Sequence, residues 1–155
     1  MQTRNQKHAV EVFQKVEGLF NEGKEAIEEL LKTEGEETQK VKKKRREIET
    51  ARKKYGAMAH KLPVLIRTAG LAQALGFLDA KSKKESEAMN KRLLDDLAST
   101  LSKSSTQLLS HSRGDNNQSL GDYLRLTQET LAALLWYKRF AQSVLGVEQG
   151  ERTGD

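Results

Sequence analysis

Residues 62–78, LPVLIRTAGLAQALGFL, constrain the fold more than any other stretch. Leu62, Val64, Leu65, Ile66, Leu71, Leu75, Phe77 and Leu78 spread around the whole helical wheel instead of forming one stripe. A helix without a polar side belongs in the middle of a bundle. The run is shorter and more interrupted than the roughly 20 apolar residues that cross a bilayer, so no membrane partner is expected. Pro63, the single proline, suits the first turn of a helix, where its missing N–H is not needed, and Leu62 before it is biased away from helical angles. The expected core helix therefore starts at Pro63 and ends near Asp79–Lys81. Arg67 is the odd residue in it. An unpaired guanidinium is costly to bury, so Arg67 either forms an ion pair inside the bundle or emerges at an edge and meets a partner.

The flanking segments read as helices too. Val10, Phe13, Val16, Leu19 and Phe20 step by three or four, and Ala26, Ile27, Leu30 and Leu31 resume the pattern after Gly23, which is expected to loosen it. Thr33–Glu37 reads as a turn. Met89, Leu93, Leu94, Leu97, Leu101, Leu108 and Leu109 mark a further helix, weak around Ser104–Ser105, and Ser110–Gln118 reads as a loop. Ser119 with Asp122 fits a capping arrangement that opens a long apolar last helix, Tyr123 to Leu145. No stretch alternates convincingly as a strand would. The expected fold is all-α, a single-domain bundle of about five helices over residues 1–145, with 146–155 as a flexible polar tail.

Charge divides one segment sharply. Residues 21–37 carry seven Glu against two Lys, a net of −5, while residues 40–54 carry nine basic against two acidic residues, a net of +7. Val41, Ile48, Tyr55 and Leu62 recur every seven residues, a seam wide enough for a single partner helix. A charged helical hairpin is thus expected over residues 21–54, protruding from the bundle, its two sides placed to neutralise each other.

Little in the chain suits catalysis. His8, His60 and His111 lack a second histidine or a carboxylate at metal-ligand spacing, and no glycine-rich phosphate loop occurs. The pairs Glu28–Glu29, Glu36–Glu37 and Asp95–Asp96 are sequence neighbours, which do not face each other on a helix. No catalytic residue, metal or cofactor is expected. With no cysteine, neither a disulfide framework nor a thiolate metal site can form, which fits a cytoplasmic protein. The N-terminal residues lack the apolar run of a signal peptide. The net charge of +5 favours an anionic partner such as nucleic acid. Trp136 and Tyr137 suit base stacking, but large aromatics on a terminal core helix more often serve packing.

Two segments carry a resemblance beyond periodicity. Leu62, Pro63, Ile66, Arg67, Gly70, Leu71, Gln73, Ala74 and Leu75 resemble one signature of the Cmr small-subunit family, the small helical subunits of type III-B CRISPR effector complexes. Tyr123, Leu124, Thr127, Trp136, Lys138, Arg139, Phe140 and Ala141 resemble a second. The likeness extends over residues 1–20 and 55–145, while residues 21–54 look like an insertion. The resemblance implies a non-enzymatic subunit with several partners: the backbone and other subunits, neighbouring copies in a filament, guide RNA and target RNA. It implies phosphate contacts by Lys7, Lys15, Lys61, Arg67, Lys138 and Arg139, with base pairing supplying specificity. Two other readings stay open from the residues: a basic helical RNA-binding or scaffold protein unrelated to CRISPR, and a small ribonuclease using His60 or His111.

Overall fold

The computed structural model describes residues 2–115 and 117–150, and every regular element among them is helical. Two helices of 31 residues come first, α1 (Arg4–Glu34) and α2 (Gln39–Ala69). Then follow α3 (Leu71–Ser82), a 3₁₀ turn at Glu85–Glu87, α4 (Ala88–Thr100), α5 (Ser105–Ser112) and α6 (Leu120–Ser143). The starts are written locally. Thr3 with Gln6, Ser104 with Gln107 and Ser119 with Asp122 form reciprocal caps, each hydroxyl accepting an orphan backbone N–H.

The core lies where the first half of α1 and the second half of α2 meet α3, α4 and α6. Tyr55, Leu62, Leu71, Leu75, Leu78, Leu93, Leu97, Leu134 and Tyr137 are all buried there. The segment 62–78 is indeed central, but it is not one helix starting at Pro63. Pro63 lies buried inside α2, which continues to Ala69, and the chain breaks at Gly70. Leu62, Pro63 and Ile66 continue the buried face begun by Tyr55, Met58 and Ala59. Burying large apolar side chains is worth about 1.5–3 kcal/mol each, enough to carry the helix through the local penalty of proline. Gly70 takes φ +90° and ψ 162°, a conformation closed to other residues, and this reverses the chain into α3. The hydroxyl of Tyr123 on α6 accepts the Leu71 N–H at 3.2 Å, capping α3 from outside.

Three further expectations change. The helix expected over residues 89–109 is divided at 101–104, where Ser102 adopts φ 60°. The loop expected from Ser110 begins after Ser112. The tail is docked at its start: Val147 is buried and packs on Gly56, where an added Cβ would lie 2.7 Å from its side chain. The Val147 carbonyl meets Nε2 of buried His60 at 2.8 Å. Residues 151–155 of the expected tail lie outside the described residues.

The charged hairpin forms. Gly35 closes α1 with its N–H on the Leu31 carbonyl, Thr38 caps α2, and the two helices turn back on each other. Their seam is thin, with Ile27 and Val41 buried and Ile48 against Gly23, which does not loosen α1 but admits its partner. Arg52 locks the root of the arm: its guanidinium donates to the Phe20 carbonyl at 2.8 Å and lies 4.1 Å from the Phe20 ring centroid. Burial lowers its pKa from the usual arginine value.

A second lock joins α1, α2 and α4. Tyr55 donates to Asp96 at 2.7 Å, and Arg92 pairs in a bidentate manner with Glu22 while reaching Asp96 at 3.9 Å. Burial raises the Asp96 pKa, opposed by the Tyr55 hydrogen bond and by the charges of Arg92 and Lys15. Raising a carboxyl above its unfolded value means stability falls as pH rises through that interval. Tyr55→Phe strips a donor from the buried carboxylate and raises it further. The variant should lose about 1–3 kcal/mol at neutral pH, and the loss should shrink below the ordinary aspartate range. Denaturant titrations at both pH values check this.

Candidate nucleic-acid interface

The six basic side chains singled out from the sequence do not gather on one face. Lys7 is exposed on α1 and lines a cleft with His8, Glu11, Thr100 and Ser102. Lys15, two turns on and half-buried, acts on Asp96 of α4 and so serves the lock just described. These two mark the side of α1 turned to α4.

Lys61 faces α3, while Arg67 and Lys138 belong to the α2–α6 side. The two helices run antiparallel, since Gly70 lies by Tyr123 while Gly56 and His60 meet Val147. Lys61 is exposed with Nζ 4.9 Å from the Phe77 ring centroid, and Lys81 shares that ring at 5.3 Å. Arg67 is exposed in the last turn of α2 and makes no ion pair among the described residues. It therefore emerges at an edge instead of neutralising a buried acid. Lys138 is half-buried on the stripe of α6 that carries Leu120, Leu124, Leu131 and Leu135.

Arg139 faces solvent with its guanidinium 4.9 Å from the Trp136 ring. Trp136 stacks on Phe140, which meets Phe13 edge-on, and the indole N–H donates to Asn5 at 2.8 Å. The pairs Arg4–Glu129, Asn5–Trp136 and Phe13–Phe140 advance together, so α1 and α6 run parallel. Trp136 is thus held between helices and presents Arg139 at a fixed angle. Tyr137 is fully buried and bonded to Thr100 at 2.8 Å, which removes it as a stacking platform. Burial also pushes its pKa far above the tyrosine range.

Two features are not legible in the sequence. One is the exposure of large apolar side chains: Leu120, Leu124 and Leu135 on one stripe of α6, and Val64 on α2, are exposed by 44–73%. Each belongs to a strongly apolar segment, so sequence places it in the core. The other is the state of the basic hairpin. The signal is there as a charge run, but which charges are matched depends on packing. The histidines offer no catalytic geometry: His8 and His60 are buried, and His111 is half-buried in the last turn of α5. Among the described residues no cluster of His, Cys, Asp or Glu could hold a metal, and no helix is long and apolar enough to cross a membrane.

Known proteins resemble the chain in both sequence and fold. The family described as "CRISPR-associated protein (Cas_Cmr5)" matches residues 31–144. The chain is similar to "CRISPR system Cmr subunit Cmr5" of Thermus thermophilus, 44% identical over 94 residues, which cover 61% of this chain and 77% of that relative. It is also similar to the crystal structure of a CRISPR-associated Cmr5 family protein from Thermus thermophilus. That likeness has a TM-score of 0.64 and 36% identity, covering 93% of this chain and 98% of the other.

Proposed function

The chain belongs to the Cmr5 family of CRISPR-associated proteins, and from that premise we propose that it is the small, non-catalytic subunit of a type III-B effector complex. In this reading it works in the cytoplasm in RNA-guided defence, stacks with neighbouring copies as a filament beside the backbone subunits, and holds the guide–target RNA duplex through phosphates. The family match across most of the folded bundle carries the proposal.

The surface supports both halves of it. Contact with other subunits needs an apolar centre, and the exposed Leu120, Leu124 and Leu135 supply one along a stripe of α6 that also carries Lys138. Phosphate contact needs cations, and Arg67 and Lys138 occur on the α2–α6 side, with Arg139 on its stacked mount and Lys61 further round on the α3 side of α2. Such contacts position a strand without reading its sequence, which the guide supplies by base pairing. The charge-reversed variant Lys138→Glu/Arg139→Glu tests the RNA half. The reconstituted complex should assemble, its target affinity should fall, and the slope of log affinity against log salt should weaken by about 1–2. Assembly with unchanged affinity and slope would remove these residues from the RNA contact.

A further inference from the structure

We propose that the hairpin formed by the second half of α1 and the first half of α2 is a nucleic-acid arm, and that Lys42, Lys43, Lys44 and Arg46 bind the phosphate backbone of RNA independently of its sequence. The proposal rests on the RNA-guided reading above and adds to it a contact surface outside the bundle core.

Residues 40–54 hold nine basic side chains, and five of them are engaged. Lys40 pairs with Glu34, Arg45 with Glu37 and Lys53 with Glu49; Arg52 donates to the Phe20 carbonyl and Lys54 to the Ser86 carbonyl. Lys42, Lys43, Lys44 and Arg46 are exposed and have no ion pair or hydrogen bond among the described residues. The expected mutual neutralisation therefore occurs only at the tip, where Glu34 and Glu37 reach across. The seam turns Val41, Ile48 and Arg52 toward α1. By helical spacing, Lys42 and Arg46 then point away from α1, one turn apart. Lys43 and Lys44 open on a groove lined also by Ala26, Leu30, Glu29 and Glu47, neither acid being within ion-pair distance of them.

Lysine on a rigid helix suits phosphate better than protein here. Protein interfaces have a desolvated apolar centre and are depleted in lysine. Among the described residues, the large hydrophobic side chains that are exposed lie elsewhere, at Val10, Phe13, Val64, Leu120, Leu124 and Leu135. Phosphate contacts need no such centre, only cations that displace condensed counterions. The arm also keeps its charges in register, because Arg52 and the close approach at Gly23 fix its root. One rival has its own logic. The α1 side of the arm carries Glu25, Glu28 and Glu29, exposed and outside any ion pair among the described residues, with Glu29 in the groove of Lys43 and Lys44 and Glu28 in the opposite one beside Arg45, so the arm of a second copy could match it by charge alone.

The test uses the reconstituted complex loaded with guide RNA and a labelled complementary target. Lys42→Gln/Lys43→Gln/Lys44→Gln/Arg46→Gln removes no ion pair or hydrogen bond among the described residues, so circular dichroism and assembly should be unchanged. Target affinity at low salt should fall at least about tenfold, and the salt slope should drop by about 2–4. An assembled complex with unchanged affinity and slope overturns the proposal. Glu25→Lys/Glu28→Lys/Glu29→Lys should leave assembly intact. Assembly lost in both variants, and restored when both sides are reversed together, assigns the lysines to a second copy and also overturns it. Lys138→Glu/Arg139→Glu separates the two readings: if that variant loses affinity while the arm variant does not, the RNA role stands and the arm role fails. If neither loses affinity, both fall.

Discussion

Leu75→Ala should cost about 2–5 kcal/mol of folding free energy, the largest effect of any conservative substitution considered. Leu75 is fully buried in α3, within the cluster that joins α2, α3, α4 and α6. Truncation removes the transfer free energy of the lost carbons and leaves a cavity that close-packed neighbours fill only in part. For a chain of this length the midpoint of thermal unfolding should drop by about 5–15 °C. Urea titration of the isolated chain gives the direct number, with an unchanged m-value showing that the loss lies in the native core. Exposed Gln73→Ala, two residues away, should stay within about 0.5 kcal/mol. A Leu75→Ala cost below about 1 kcal/mol would mean that α3 is not an integral part of the core.

Gly70→Ala should cost about 1–3 kcal/mol, although alanine is the better helix former. At φ +90° and ψ 162° an L side chain is strained. Its Cβ would also sit 3.4 Å from the Tyr123 hydroxyl that caps α3. Gly76→Ala provides the contrast. That glycine is inside α3, its added Cβ meets nothing within 4 Å, and the substitution should stabilise by about 0.5–1 kcal/mol. The two glycines belong to one apolar segment, so opposite signs would tie the effect to the bend and not to composition. A neutral Gly70→Ala would mean that packing alone reverses the chain.

How far the sequence could be read followed from the range of each interaction. The cap at Ser119 and the turn around Gly35 were legible because they are settled within a few residues. The Val41–Ile48 part of the seam was legible because helical periodicity encodes which side meets a partner, whereas Tyr55, expected on the same single-partner seam, meets Asp96 of α4 and Tyr137 of α6. The helix boundary near Pro63 was not. The local penalty of proline competes there with the burial of Leu62, Pro63 and Ile66 against other helices, and burial outweighs it. Arg67 is exposed and Lys138 half-buried, while Lys15 acts on Asp96 and Tyr137 is core. Nothing within one helix distinguishes those outcomes.

The sequence by itself determined an all-helical chain with residues 62–78 at its centre, a charged hairpin, and membership in a family recognisable from two segments. Tertiary structure alone decided where the central segment bends, that Val147 docks on Gly56, and which four of nine basic residues in the arm remain without partners among the described residues. The division has one physical cause. Periodicity, capping and turn chemistry are local and are written in neighbouring residues. Burial and ion pairing depend on distances between residues far apart in the chain, such as Arg52 and Phe20 or Tyr55 and Asp96, which exist only once the helices are packed.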